Sequence, residues 1–109
     1  MEAYVNFPKD ADGDVLHRLE ESGLDFSQPQ PVDFNVDFGS WPPPIEALEK
    51  LKASVGSFEV YEPEEGYEGY VLFTLKELLS YELVVGTQDK ITKLMSECDG
   101  VCESWGVLH

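Results

Sequence analysis

The side chains of this 109-residue sequence that could do chemistry fall into a few groupings. Asp10, Asp12 and Asp14 alternate as the opening of a calcium loop does, and Glu21 falls at the twelfth position of that frame. A calcium loop turns on a glycine at its sixth position, where Val15 stands, and its later ligand positions would fall on a helix bearing Leu16 and Leu19. The acids suit the capping of that helix better, because they accept its orphan N–H groups and complement its dipole. Cys98 and Cys102, with His17 and His109 elsewhere, raise zinc, but no second cysteine pair completes a tetrahedral set. Cysteines at a helix end and a strand start read instead as small buried hydrophobes. No nucleophile elbow, glycine-rich phosphate loop or histidine paired with serine or cysteine is visible, and carboxylates are too numerous for any pair to stand out as acid and base. The expectation is a protein without metal, cofactor or catalytic residue.

The remaining grouping is acidic and ordered. Asp33, Asn35 and Asp37 alternate with Val32, Phe34, Val36 and Phe38, which predicts a strand with one buried and one wet face. The chain as a whole carries 22 Asp and Glu against 7 Lys and Arg, a net charge of −15 and a pI near 4.2. A field of that sign repels phosphate backbones and anionic headgroups and attracts cationic partners. Direct binding of nucleic acid or membrane is therefore disfavoured. With 42% hydrophobic residues the chain is too apolar for a disordered acidic tail, and its length predicts a single domain over residues 1–109. The start, Met1 to Lys9, has neither the basic region nor the apolar run of a secretory leader, and two cysteines do not suggest a disulfide scaffold. A cytoplasmic location is expected.

The elements that must position these residues follow from periodicity and punctuation. A first helix is predicted from about residue 12 to 22, with Val15, Leu16 and Leu19 as its stripe, Gly23 as its cap, and Leu24 and Phe26 pinning its exit. The alternating strand follows Pro29 and Pro31; Gly39 and Ser40 break it. Trp41-Pro42-Pro43-Pro44 leads into a helix with Ile45, Leu48, Leu51 and Val55 on one face, ended by Gly56. Phe58 to Glu62 and Tyr67 to Leu75 read as a hairpin about the turn Pro63-Glu64-Glu65-Gly66. Ser80 offers an N-cap for a long helix to about Glu97, in which Gly86 is explained by close packing on the sheet. Asp99-Gly100 turns into a last strand, Val101 to Val107. A leading helix before β-α-β-β-α-β is the order of an α+β ferredoxin-like sandwich, with a four-stranded antiparallel sheet and both crossover helices on one face.

In that frame Asp33, Asn35 and Asp37 lie on the open face of a central strand. Glu59 and Tyr61 are candidates to join them from the next strand, and Glu103 and Trp105 from the last. Trp105 has a second reading, as core. The hairpin acids Glu62, Glu64, Glu65 and Glu68 extend the same field. Domains of similar topology stack RNA bases on this face. Here its centre is acidic, and an arginine-rich peptide is the better match.

The segments Phe7 to Asp14, Leu16 to Gly23, Pro31-Val32-Asp33-Phe34, Thr74, Lys76-Glu77, the helix from Ser80, and Gly100 with Trp105-Gly106 are similar to the RraB family of ribonuclease E regulators. The proline-rich stretch Phe38 to Pro44, Leu75 and Leu78-Leu79 depart from the usual pattern. The resemblance implies a ferredoxin-like sandwich that binds ribonuclease E and restrains it without chemistry of its own. The competing readings are an acidic antitoxin or immunity-type protein for another partner, and an enzyme using carboxylates.

Overall fold

The computed structural model describes residues 9–107. In chain order the elements are α1 (Ala11–Glu21), β1 (Pro29–Phe38), α2 (Ile45–Val55), β2 (Glu59–Tyr61), β3 (Tyr70–Leu78), α3 (Tyr81–Met95), a 3₁₀ turn (Ser96–Cys98) and β4 (Gly100–Val107). The strands form one sheet in the order β2-β3-β1-β4, every neighbouring pair antiparallel. This is the ferredoxin-like order, with β1 interior and β2 and β4 at the edges.

The helix ends are set by the residues that the sequence offers for them. Asp10 caps α1, its Oδ1 accepting from the Gly13 N–H at 2.8 Å, and Ser80 caps α3 by accepting from the Leu83 N–H at 3.0 Å. At the far end of α1 the Gly23 and Leu24 N–H groups return to the carbonyls of Glu20 and Leu19, both at 3.1 Å. That pair of bonds needs a left-handed residue after the helix, which Gly23 supplies at φ +94°. Leu24 and Phe26 pack against the core beyond it.

The core is a single layer between the sheet and the helices. Val32, Phe34, Val36, Val71 and Phe73 enter it from the sheet, and Leu16, Ala47, Leu51, Val84, Ile91 and Met95 from the helices. The rings of Phe34 and Phe73, opposite each other in register, stack with centroids 5.2 Å apart. Each such buried side chain contributes about 1.5–3 kcal/mol of hydrophobic stabilisation. Among the described residues no helix is long and apolar enough to cross a membrane.

Three expectations are corrected. The hairpin strands are displaced: β2 is only Glu59–Tyr61, and β3 begins at Tyr70 and runs on to Leu78. Pro63 has no N–H to give a ladder, and Glu64 and Tyr67 bond to each other instead. Gly69 then passes beneath Trp41 and Pro63, where a Cβ would lie 2.9 and 2.8 Å from their rings, so the segment before Tyr70 is packed turn rather than strand. In α2 the buried stripe centres on Ala47 and Leu51; Ile45, about 200° around the helix from Ala47, is 68% exposed. Gly86 does not touch the sheet. It faces solvent between the buried positions Val84 and Gln88, and a Cβ there would meet nothing within 4 Å.

A mid-helix glycine in open space only weakens the helix. Gly86→Ala is therefore expected to stabilise the fold by about 1 kcal/mol, raising the melting temperature by roughly 4 °C. A thermal melt followed by circular dichroism checks this; an unchanged or lower midpoint would show that the position serves some other purpose.

Candidate partner-binding surface

The alternation of β1 carries directly into the sheet. Val32, Phe34 and Val36 are fully buried, so Asp33, Asn35 and Asp37 project from the opposite, helix-free face. Register assigns their neighbours. Asp33 is paired with Thr74 of β3 and Gly106 of β4, and Asn35 with Leu72 and Ser104. Beyond them Glu59 is paired with Leu72 and Tyr61 with Tyr70. The Thr74 hydroxyl donates to Asp33 Oδ1 at 2.6 Å, which fixes that carboxylate upright on the face.

The acids on this surface are close enough to feel one another. Partial burial pushes the Asp37 carboxyl above its usual range, and the neighbouring charges of Glu68 and Glu103 push it further. The Tyr61 phenol is raised in the same way, chiefly by Glu59. Among the described residues, the lysine ion pairs lie elsewhere, Lys50 with Glu97 at 3.6 Å and Lys93 with Asp89 at 3.0 Å. Register also puts the exposed Lys76 on the open face, two residues from Thr74, but among the described residues none of the acids of the face and hairpin is ion-paired with a lysine or arginine.

Sequence reasoning placed Asp33, Asp37, Glu59 and Tyr61 on this face, and register puts them there. Glu103 stands where the β1–β4 register shifts, at the sheet edge beside Asp37. The hairpin acids Glu62, Glu64, Glu65 and Glu68 are all exposed. Trp105 is the exception. It is paired with Phe34, not with the acids, and so lies on the helix side, packed against the core. Its indole Nε1 donates to Asp12 Oδ1 at 2.8 Å, and the Gln88 amide donates to the same oxygen at 3.3 Å. The irregularity in β4 is the physical reason: it removes the simple parity by which Trp105 would share a face with Val101.

The groupings suggestive of metal are occupied with structural work. Asp10 accepts from the Tyr81 phenol at 2.5 Å as well as from its own helix, and these bonds, the Tyr81 one foremost, hold it below the usual carboxylate range. His17 lies along α1 beside Glu20 and Glu21, at 3.9 and 3.7 Å. Cys102 is buried, which with the charge of Asp37 pushes its thiol up to about 12; its backbone is bracketed by the Thr92 hydroxyl. His109 lies outside the described residues. Among the described residues no group of three or more His, Cys, Asp or Glu side chains converges on a metal position.

Four aromatic or apolar members of the surface escaped the sequence reading. Tyr70 and Leu72 stand on the open face because register pairs them with Tyr61 and with Glu59 and Asn35, while Val71 and Phe73 between and beyond them are buried. Tyr67 stands at the end of the hairpin turn and is 76% exposed. Trp41, from the proline-rich connection, reaches the same hairpin and donates through Nε1 to Glu62 Oε2 at 2.9 Å. The Pro63-to-Gly66 turn signal was the only local pointer to Tyr67; nothing in sequence links Trp41 to Glu62. The result is a surface with acidic groups spread among exposed rings, suited to a cationic protein segment and ill suited to a phosphate chain.

The family model described as Regulator of ribonuclease activity B, RraB, matches residues 9–107. No curated protein matches the chain.

Two measurements check the placement of side chains. Trp105→Ala should cost about 3 kcal/mol in urea unfolding, as removal of a packed indole does; a change below 1 kcal/mol would mean the ring is not part of the core. Asp37→Asn should have the opposite sign at pH 7. A carboxyl raised in the folded state favours folding below its ordinary value of 3.8 and loses that contribution as the pH climbs through the raised value. The variant should therefore be more stable than the parent at pH 7 and lose its advantage near pH 3.5. A variant that is less stable at neutral pH would contradict the crowding of charge around Asp37.

Proposed function

The chain belongs to the RraB family, regulators of ribonuclease activity, and on that premise we propose that it acts as a binding regulator, docking its acidic sheet face on a basic segment of ribonuclease E or a related nuclease. The observation that carries this reading is the mutual crowding of Asp37, Glu68 and Glu103 beside Asp33 and Glu59, none of them ion-paired with a lysine or arginine among the described residues. Like charges held together raise the energy of the free protein, and a cationic partner relieves that cost on binding. Nucleases meet RNA through basic surfaces. An acidic face that engages such a surface competes with the nucleic acid for it, which restrains the nuclease without any bond being made or broken. In this reading the protein is not an enzyme, requires no cofactor, and contacts neither nucleic acid nor membrane directly. The hairpin acids Glu62, Glu64, Glu65 and Glu68 widen the field that steers the partner in.

Association driven by exposed charge is fast and sensitive to salt, since screening confines such charges to about 8 Å at physiological ionic strength. Asp33→Asn with Asp37→Asn should slow association with purified ribonuclease E by several-fold to tenfold at low salt and flatten the dependence of on-rate on salt. Glu97→Gln, on the helix layer beside Lys50, serves as the control and should leave both unchanged. Stopped-flow or surface-based kinetics over a salt series measures this. Wild-type on-rate and slope in the double variant would place the docking surface elsewhere.

A further inference from the structure

At the tip of the β2–β3 hairpin the surface deepens into a cleft of about 400 Å³. Its apolar walls are the rings of Tyr61, Tyr67 and Tyr70, and its rim carries Glu62, Glu64 and Glu68. Each wall is held in place by something other than a ligand. Tyr61 and Tyr70 stack with centroids 4.8 Å apart and an interplanar angle of 14°. Tyr67 stands on a turn closed by reciprocal backbone bonds, Glu64 N–H to Tyr67 O at 3.0 Å and Tyr67 N–H to Glu64 O at 2.9 Å. Gly66 makes that turn with a φ of +83°, a conformation that side-chain-bearing residues rarely adopt. Tyr67 is nonetheless 76% exposed, so a fixed backbone presents a ring that the fold itself does not cover. Glu62 is engaged by the Trp41 indole, whereas the carboxylates of Glu64 and Glu68 project into water at the cleft.

We propose that this cleft seats a single arginine side chain, its guanidinium plane lying against a tyrosine face and its N–H groups donating to Glu64 and Glu68. The proposal rests on the reading above that a basic segment docks on this side of the molecule, and it names the residue that anchors the segment. Aromatic walls with an acidic rim attract a cation twice, through the ring quadrupole and through the carboxylates. Arginine fits better than lysine: its planar, weakly hydrated guanidinium stacks on a ring and forks to two acceptors, whereas an ammonium is a strongly hydrated point charge. The same carboxylates repel a nucleotide, whose base could otherwise stack on the rings but whose phosphate would add further negative charge to the rim.

The test uses the whole protein and blocked tripeptides, Gly-Arg-Gly, Gly-Lys-Gly and Gly-citrulline-Gly, titrated into the low-millimolar range. The ring proton resonances of Tyr61, Tyr67 and Tyr70 are followed by NMR. The arginine peptide should shift all three saturably, the lysine peptide more weakly, and the uncharged citrulline peptide not at all. Tyr67→Ala should weaken the arginine peptide by roughly two- to fivefold. Glu64→Gln with Glu68→Gln, which leaves the rings untouched, should weaken it independently should the alanine variant disturb the turn. Equal binding of citrulline, tighter binding of lysine, or the absence of saturable shifts would overturn the proposal. No nuclease is present in these titrations, so the two readings fail separately. A cleft that ignores arginine, while Asp33 and Asp37 still govern nuclease association, sinks only the anchor. A cleft that takes arginine, while ribonuclease E does not bind, sinks only the choice of partner.

Discussion

An interior strand hydrogen-bonded on both sides has no freedom left except the choice of which residues face which way. β1 is that strand, with β3 along one edge and β4 along the other. Because its apolar and polar residues strictly alternate from Val32 to Phe38, a slip of one residue would bury Asp33 and Asp37 and expose Phe34 and Val36. The cost of burying unpaired carboxylates excludes that register outright. The same alternation that builds the core therefore also builds the acidic surface, and neither can be lost without the other.

Both layers on either side of this strand carry acids, but they hold them differently. Lysines 50, 90 and 93 gather on the helix layer, around the groove between α2 and α3, and two of them are paired with acids there. On the open face and the hairpin, where Lys76 is the exposed lysine, no ion pair joins the acids to a cation among the described residues. With a net charge of −15 the whole molecule attracts an approaching cationic protein before any contact is made, and the crowded acids of the open face add to that pull locally.

Much of this was legible in the sequence, and the parts that were not share a cause. Strict period-two alternation gave β1 and its wet face; Asp10, Ser80, Gly23 and Gly56 marked helix ends because capping is a local matter of one side chain or one φ angle. The order of elements then left the ferredoxin-like topology as the simplest closure. The failures concern residues whose role depends on what lies across from them. Trp105 was assigned two faces because the irregularity in β4 has no sequence signature. Gly86 was given a packing role because a glycine in a helix invites one, while the register of α3 turns it to solvent. The start of β3 was misjudged because Gly69 is governed by Trp41 and Pro63, one of them distant in sequence. Tyr67 and Trp41, which complete the hairpin surface, became visible only once the chain was folded.

The central position of β1 has a consequence for how the chain reaches this state. One of its edges is completed by β3 and the other only by β4, much further along the sequence. Whenever either partner is missing, β1 is an exposed edge rich in valine and phenylalanine, which is the kind of segment that pairs with other chains. Asp33 and Asp37 then act in a second capacity. Four residues apart on one face, they set like charges directly against one another in any in-register stack of two such strands, and so oppose self-association until Gly100–Val107 closes the sheet. Neutralising Asp37 for the sake of fold stability would therefore give up part of that protection wherever β1 is unpaired.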